Sequence, residues 1–203
     1  MSERQQVEKP FLDQLATLGW DVVDHGEALP SSPESSHRSS FKEVALKSVF
    51  CEAVRAINLD ESGLPWLTDE QLNFLFEYIT SRPGSLVEAN KAVHEALLSG
   101  VDDLDHETAS GIVKRKARFI AFDKPEMNNF LAINQFRIDT PGQAKEHIRP
   151  DVVLFVNGLP LVVIEAKEAN TFTSLPLEEA KRQIFRYSER RDESTKGLSL
   201  IHI

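Results

Sequence analysis

The 203 residues, 41% hydrophobic and 27% charged, suffice to bury a core as one domain or one domain with a sub-lobe. A formal charge of −9 argues against a surface that coats polyanions indiscriminately, though it leaves room for a local basic groove. Cys51 is the only cysteine, which excludes an internal disulfide, and neither a secretory leader nor a membrane-length apolar run is present, so a cytoplasmic protein without membrane contact is expected.

The opening VEKPFLDQLATLGWDVV predicts a short helix stopped at Gly19, then a strand through Trp20 to Val23. The Ser/Pro-rich ALPSSPESSHRSS lacks apolar periodicity and reads as a surface loop. Three helices are predicted next, each from a capping box: Ser40 with Glu43, Thr68 with Gln71, and Ser85 with Glu88. The first carries Cys51 as a small packed hydrophobe. Leu72, Leu75, Phe76 and Ile79 form the core stripe of the second, and Leu86, Ala89, Val93 and Leu97 that of the third, which stops at Gly100. A helical insertion over about 40–100 follows from this.

DDLDHETASG reads as a polar turn, and after it RFIAFD and FLAINQFRI read as strands. VVLFV and LPLVVIEAK are a predicted hairpin about Asn157-Gly158. A last helix is predicted over 177–190, with Pro176 at its first turn.

The chemistry-bearing stretch is RPDVVLFVNGLPLVVIEAKEA, residues 149–169. On a strand Glu165 and Lys167 share one face, with Ala166 opposite. Asp151 opens the partner strand. Two carboxylates at a strand end offer hard oxygen donors for Mg²⁺ or Mn²⁺, and a nearby lysine can orient water or offset charge on a phosphate. These are the parts of metal-dependent phosphodiester hydrolysis. A strict two-residue loop, however, pairs Asp151 with Ile164 and splits the trio across two faces. Convergence therefore demands a bulge, a longer loop or a sharp bend at Asp151. The same residues also allow a plain ion pair at a frayed strand end.

PEMNNFLAINQFRI, RPDVVLFVNGLPLVVIEAKEA and EAKRQIFRYSE resemble the N-terminal nuclease domain of the restriction (motor) subunit of type I restriction-modification enzymes. SLVEANKAVHEALLSGV and VEKPFLDQLATLGWDVV are similar to the same family's helical stretch and opening helix, so the resemblance runs from Glu8 to about Ser188. It implies an α/β, restriction-endonuclease-like PD-(D/E)xK core, a mixed central sheet flanked by helices, over residues 1–197. By that resemblance Asp151 and Glu165 bind the metal, joined by Ala166 through its carbonyl and by Glu8 of the first helix. Lys167 acts on the attacking water, and Gln183 and Tyr187 match the Q-x-x-x-Y motif after the catalytic strand. Pro10 puts the reach of Glu8 in question, because proline breaks the helix upstream of it.

The implied activity is that of a Mg²⁺-dependent type I site-specific deoxyribonuclease. Its implied partners are double-stranded DNA and the methyltransferase and specificity subunits. No G-x-x-x-x-G-K-[ST] loop is present, so ATP is expected to bind only in a motor region outside these residues. The ending LSLIHI, residues 198–203, matches the translation of a transposon end used in preparing sequencing libraries and is expected to be foreign. His94 in HEALL lacks the second histidine of H-E-x-x-H, and His25, His37, His106, His147 and His202 show no ligand spacing. VKRKARF (113–119) is the best basic patch, either a grip on phosphates or a solvated strand face. A non-cleaving docking module of the motor subunit, or a stand-alone PD-(D/E)xK nuclease, are the competing readings.

Overall fold

The computed structural model describes residues 4–140, 147–167 and 177–182. A π-helical turn (Arg4–Glu8) leads into α1 (Lys9–Thr17) and β1 (Asp21–Val23). Then come α2 (Lys47–Ile57), α3 (Asp69–Thr80), α4 (Leu86–Ser99), β2 (Val101–Thr108) and β3 (Gly111–Ala117). β4 (Phe130–Asn134), β5 (Ile138–Asp139), β6 (His147–Ile148), β7 (Val152–Val156) and β8 (Leu159–Ile164) follow, and residues 177–182 are helical. Two compact units result: Met1–Val44 with Phe130–Phe155 and Pro160–Ile203, and Ala45–Asn129 with Val156–Leu159.

The first unit is built on a four-stranded sheet in the order β1-β4-β7-β8. β1 runs parallel to β4, with Asp21 beside Leu131 and Val23 beside Ile133. Leu131 through Asn134 are all buried, as expected of a central strand covered on both faces. α1 lays Leu12 and Leu15 against Ala132 and Val152, and Phe11, Trp20, Val22, Leu154 and Ile164 pack around them. Gly19 ends the helix as expected: at φ +90° it allows its own N–H to reach Ala16 O and the Trp20 N–H to reach Leu15 O, a Schellman closure.

Pro10 does not cut the chain's helical path upstream. The turn before it widens to π geometry, and Glu8 keeps helical torsions (φ −65°, ψ −52°). A wider turn accommodates a residue that lacks an N–H and crowds the carbonyl behind it.

The Ser/Pro-rich segment is more than a surface loop. Ser36 and Arg38 are buried in it, and the Arg38 guanidinium stacks 3.7 Å from the Phe136 ring centre. Burial pushes Arg38 down to about 10, against the pull of Glu43 and Asp139. Arg38 Nη1 donates to the carbonyls of Glu43 and Arg137, both at 2.9 Å. That contact holds residues 38–43 as a turn, so the expected box at Ser40 and Glu43 starts no helix. α2 begins only at Lys47, with Leu46 as its N-cap.

In the second unit the other two boxes are present in full, Thr68 with Gln71 and Ser85 with Glu88. Leu72, Leu75 and Ile79 are buried with Phe50 and Phe119, and Phe76 meets the Phe50 ring edge-on at 5.2 Å. Cys51 is half-buried, and burial pushes its thiol up, away from reactivity.

Two segments differ from their expected structure. The supposed polar turn at 102–111 is mostly strand β2, antiparallel to β3, with only Ala109 and Ser110 between them. Asp105 stands opposite Lys114 and Asp102 pairs with Lys116, cross-strand pairing that stabilises a ribbon apolar alternation does not reveal. Residues 118–123 form no strand. Asn58 Oδ1 accepts the Arg118 N–H at 2.8 Å, and the Asn128 amide binds both the N–H and the carbonyl of Ala121. Side-chain amides replace the ladder there.

Asn157 and Gly158 form the predicted turn, with φ of +50° and +75°, as a two-residue type I′ loop requires. The Asn157 side chain is fully buried, donating to Phe119 O at 2.8 Å and accepting from the Asn129 N–H at 2.7 Å.

Candidate functional site

Strands β7 and β8 leave only two residues between them, so neither a longer loop nor a bulge at the turn brings the trio together. The third device is the one present. Asp151 lies in a bend just ahead of β7, and Glu165 to Lys167 lie just past the end of β8. Freed from ladder alternation, Asp151 Oδ2 accepts the main-chain N–H of Ala166 at 2.8 Å. The aspartate is thereby docked on the peptide between Glu165 and Lys167. Ala166 is buried and its two neighbours are half-buried, with both Glu165 carboxylate oxygens withdrawn from the surface.

The bend itself is held from the β4 side. Gln135 N–H donates to Asp151 O at 2.8 Å, and Phe136 N–H donates to Pro150 O at 3.1 Å. These bonds continue main-chain pairing just beyond β4 and fix the approach of the aspartate.

Glu8 is 5% exposed, and its carboxylate meets three donors: Arg4 Nη1 at 2.7 Å, Asn134 Nδ2 at 2.6 Å and Gln135 Nε2 at 3.1 Å. Arg4 in turn donates through Nη2 to both oxygens of Asp24 at 2.8 Å. Asn134 completes its own bonding by donating to Gly26 O and accepting from the His25 N–H. Burial of a carboxylate is tolerable only with such compensation. Because a carboxylate has about four lone-pair sites, Glu8 retains acceptor capacity beyond these three bonds.

The structure thus joins Asp151 to the Glu165–Lys167 segment, and ties Glu8 to Asn134 and Gln135, the latter bonded in turn to the Asp151 carbonyl. Gln183 and Tyr187, most of the last predicted helix and the ending at 198–203 lie outside the described residues. Asn134 and Gln135 were not singled out from sequence, although two amides closing the oily run FLAI were the available signal. The four cations of the basic patch all face carboxylates: Lys114 with Asp105, Arg115 with Glu61, Lys116 with Asp102 and Arg118 with Asp123.

Among the described residues no three His, Cys, Asp or Glu side chains gather as a cation cage. The donor set on offer is Asp151, Glu165 and the Ala166 carbonyl. That chemistry fits Mg²⁺, which commonly takes one or two carboxylates and keeps waters for the rest of its octahedron. No helix among the described residues is long and apolar enough to cross a membrane.

The family model described as type I restriction enzyme R protein N terminus matches residues 1–200. The HindI endonuclease subunit of a type I restriction enzyme from Haemophilus influenzae is 31% identical over 169 residues, 82% of this chain. A Methanocaldococcus jannaschii protein, provisionally named as the MjaIXP endonuclease subunit of a type I restriction enzyme, is 30% identical over 168 residues, again 82% of this chain. In both cases the match spans 15% of the relative's own length.

Proposed function

The chain belongs to the type I restriction enzyme R protein N-terminus family, and on that premise we propose that it is the subunit's Mg²⁺-dependent DNA endonuclease domain. One observation supports the reading: Asp151 is hydrogen-bonded to the amide between Glu165 and Lys167, which docks the aspartate on the segment that carries both. An ion pair at a frayed strand end needs no such bend, nor a stitched β4–β5 loop to support it.

Asp151, Glu165 and the Ala166 carbonyl would hold the cation, with Glu8 as the further acidic residue. When bound, the ion supplies Lewis-acid polarisation of the scissile phosphate and a more acidic water. Lys167 orients the attacking water and offsets charge building on the phosphoryl oxygens. Water adds to phosphorus and gives up one proton to solvent, the bond to the leaving sugar oxygen breaks, and that oxygen takes up a proton from solvent. Gln183 and Tyr187 are proposed to support the site from the helix that follows. Unmodified double-stranded DNA is the proposed substrate, within a cytoplasmic complex containing methyltransferase and specificity subunits, and ATP is used by the motor region.

The test is plasmid nicking by the full-length R subunit carrying this sequence, in its complex with ATP and Mg²⁺, comparing wild type with Lys167→Ala. Lost cutting with ATP hydrolysis retained supports the proposal. Undiminished cutting replaces it with a docking module whose charges are structural.

A further inference from the structure

We infer that Gln135 is a positioning residue of this site, coupling the Glu8 carboxylate to the Asp151 bend. The inference rests on the nuclease reading above and concerns a residue outside the charged set.

Three observations on one residue carry it. The backbone N–H of Gln135 holds Asp151 O at 2.8 Å, and its side-chain Nε2 holds Glu8 Oε2 at 3.1 Å. One residue therefore spans from the first helix to the aspartate. Gln135 also adopts φ +51°, a left-handed conformation that disfavours a side chain with a Cβ and is kept where surrounding structure enforces it. Finally, the side chain is 5% exposed, and its Oε1 is buried with no hydrogen-bond donor among the described residues. A purely structural amide at the end of FLAI would satisfy both its ends or be replaced by an apolar residue. An acceptor kept in reserve beside two carboxylate-bearing segments suits a site that gathers water around a cation.

The geometry also separates Gln135 from Asn134. Asn134 grips the other Glu8 oxygen, but both ends of its amide are satisfied by protein, through Gly26 and His25. Asn134 anchors Glu8 to the segment after β1 through Gly26 and His25, whereas Gln135 connects it to Asp151.

The test is Mn²⁺ binding, followed by electron paramagnetic resonance, to the full-length R subunit complex without DNA. Wild type is compared with Gln135→Gly, Glu8→Gln and the double variant. Glycine suits φ +51°, so this variant removes the amide without straining the loop, and unchanged ATP hydrolysis checks that the complex is intact. Removing a group that orients a metal ligand commonly costs tenfold or more in affinity. The expected result is about a tenfold weaker Mn²⁺ dissociation constant for Gln135→Gly, with little added by Glu8→Gln on top of it, because coupled residues are not additive. Unchanged Mn²⁺ affinity, full additivity, or no Mn²⁺ bound by wild type each overturns the inference. If Lys167→Ala abolishes cutting while Gln135→Gly leaves Mn²⁺ affinity intact, this inference falls and the nuclease reading stands.

Discussion

Asp151 accepts a hydrogen bond from the peptide N–H of Ala166, fifteen residues on and across a two-residue turn. The bond does two separable jobs: it pins the end of β8 to the start of β7, and it places a negative charge beside Glu165 and Lys167. Asp151→Asn keeps an oxygen for the Ala166 N–H and removes only the charge. Its expected outcome is lost DNA cleavage with a melting temperature close to wild type. Asp151→Ala removes the acceptor as well and should cost about 1–2 kcal/mol of stability in addition. Denaturant titration of both variants beside a cleavage assay checks the separation. Equal destabilisation by both would show that the charge, not the acceptor, holds the bend.

Arg4 bridges Glu8 and Asp24, and this yields a pH dependence. Burial by itself pushes the Asp24 carboxyl up, but the Arg4 hydrogen bond, the Gly26 N–H and the Arg4 charge outweigh it and hold it below the usual range. A carboxyl depressed in the fold contributes stability above its unfolded value, near ~4, and loses that contribution as pH falls through the folded value. Asp24 is partly exposed, so solvent screening limits the contribution to roughly 0.5–1 kcal/mol. Asp24→Asn should therefore be less stable than wild type at pH 7, and the gap should close below about pH 4. Melting curves across pH 3–7 read this directly. A gap that widens toward acid would contradict the assignment.

Much of the framework was legible because its causes are local. Gly19, the Thr68 and Ser85 boxes and Asn157-Gly158 each act through their own neighbours, and each ends, starts or turns an element as expected. The Ser40 box failed because a distant residue intervened: Arg137 offers its carbonyl to Arg38, and the resulting turn displaces the helix start to Lys47. Residues 118–123 failed for the same reason, with Asn58 supplying a side chain sixty positions away. At the site, the sequence set the requirement for a bend at Asp151 but not its means, which is Gln135 and Phe136 bonding to Asp151 and Pro150. Amides that serve a neighbouring strand look like ordinary polar residues until the strand is beside them.

Gly158 shows how little freedom the turn retains. A Cβ built there would stand 2.6 Å from both Leu46 O and Phe50 N, main-chain atoms that cannot rotate aside. The positive φ adds its own penalty for any side chain. Gly158→Ala should destabilise the protein by about 2–4 kcal/mol, combining conformational and overpacking costs. Chemical denaturation checks this, and a loss under ~0.5 kcal/mol, the range of an ordinary surface change, would mean that the α2 start yields more readily than its backbone contacts suggest.

The β2–β3 ribbon carries the basic patch, and its charge balance predicts no part for it in gripping the proposed DNA substrate. Its basic strand carries Lys114, Arg115 and Lys116, but its partner strand carries Asp102, Asp103, Asp105 and Glu107, so the ribbon is net negative by one charge. Exposed ion pairs are individually weak, so pairing alone would not keep these lysines from a phosphate. The net negative charge of the ribbon does, because its excess of carboxylates repels a phosphate approaching Lys114 or Lys116. Each phosphate contact steepens the dependence of log affinity on log salt by ~0.9. Replacing Lys114 and Lys116 together by alanine in the full-length complex should therefore leave the salt slope of DNA binding unchanged. A slope shallower by about 2 would show that both lysines grip the backbone.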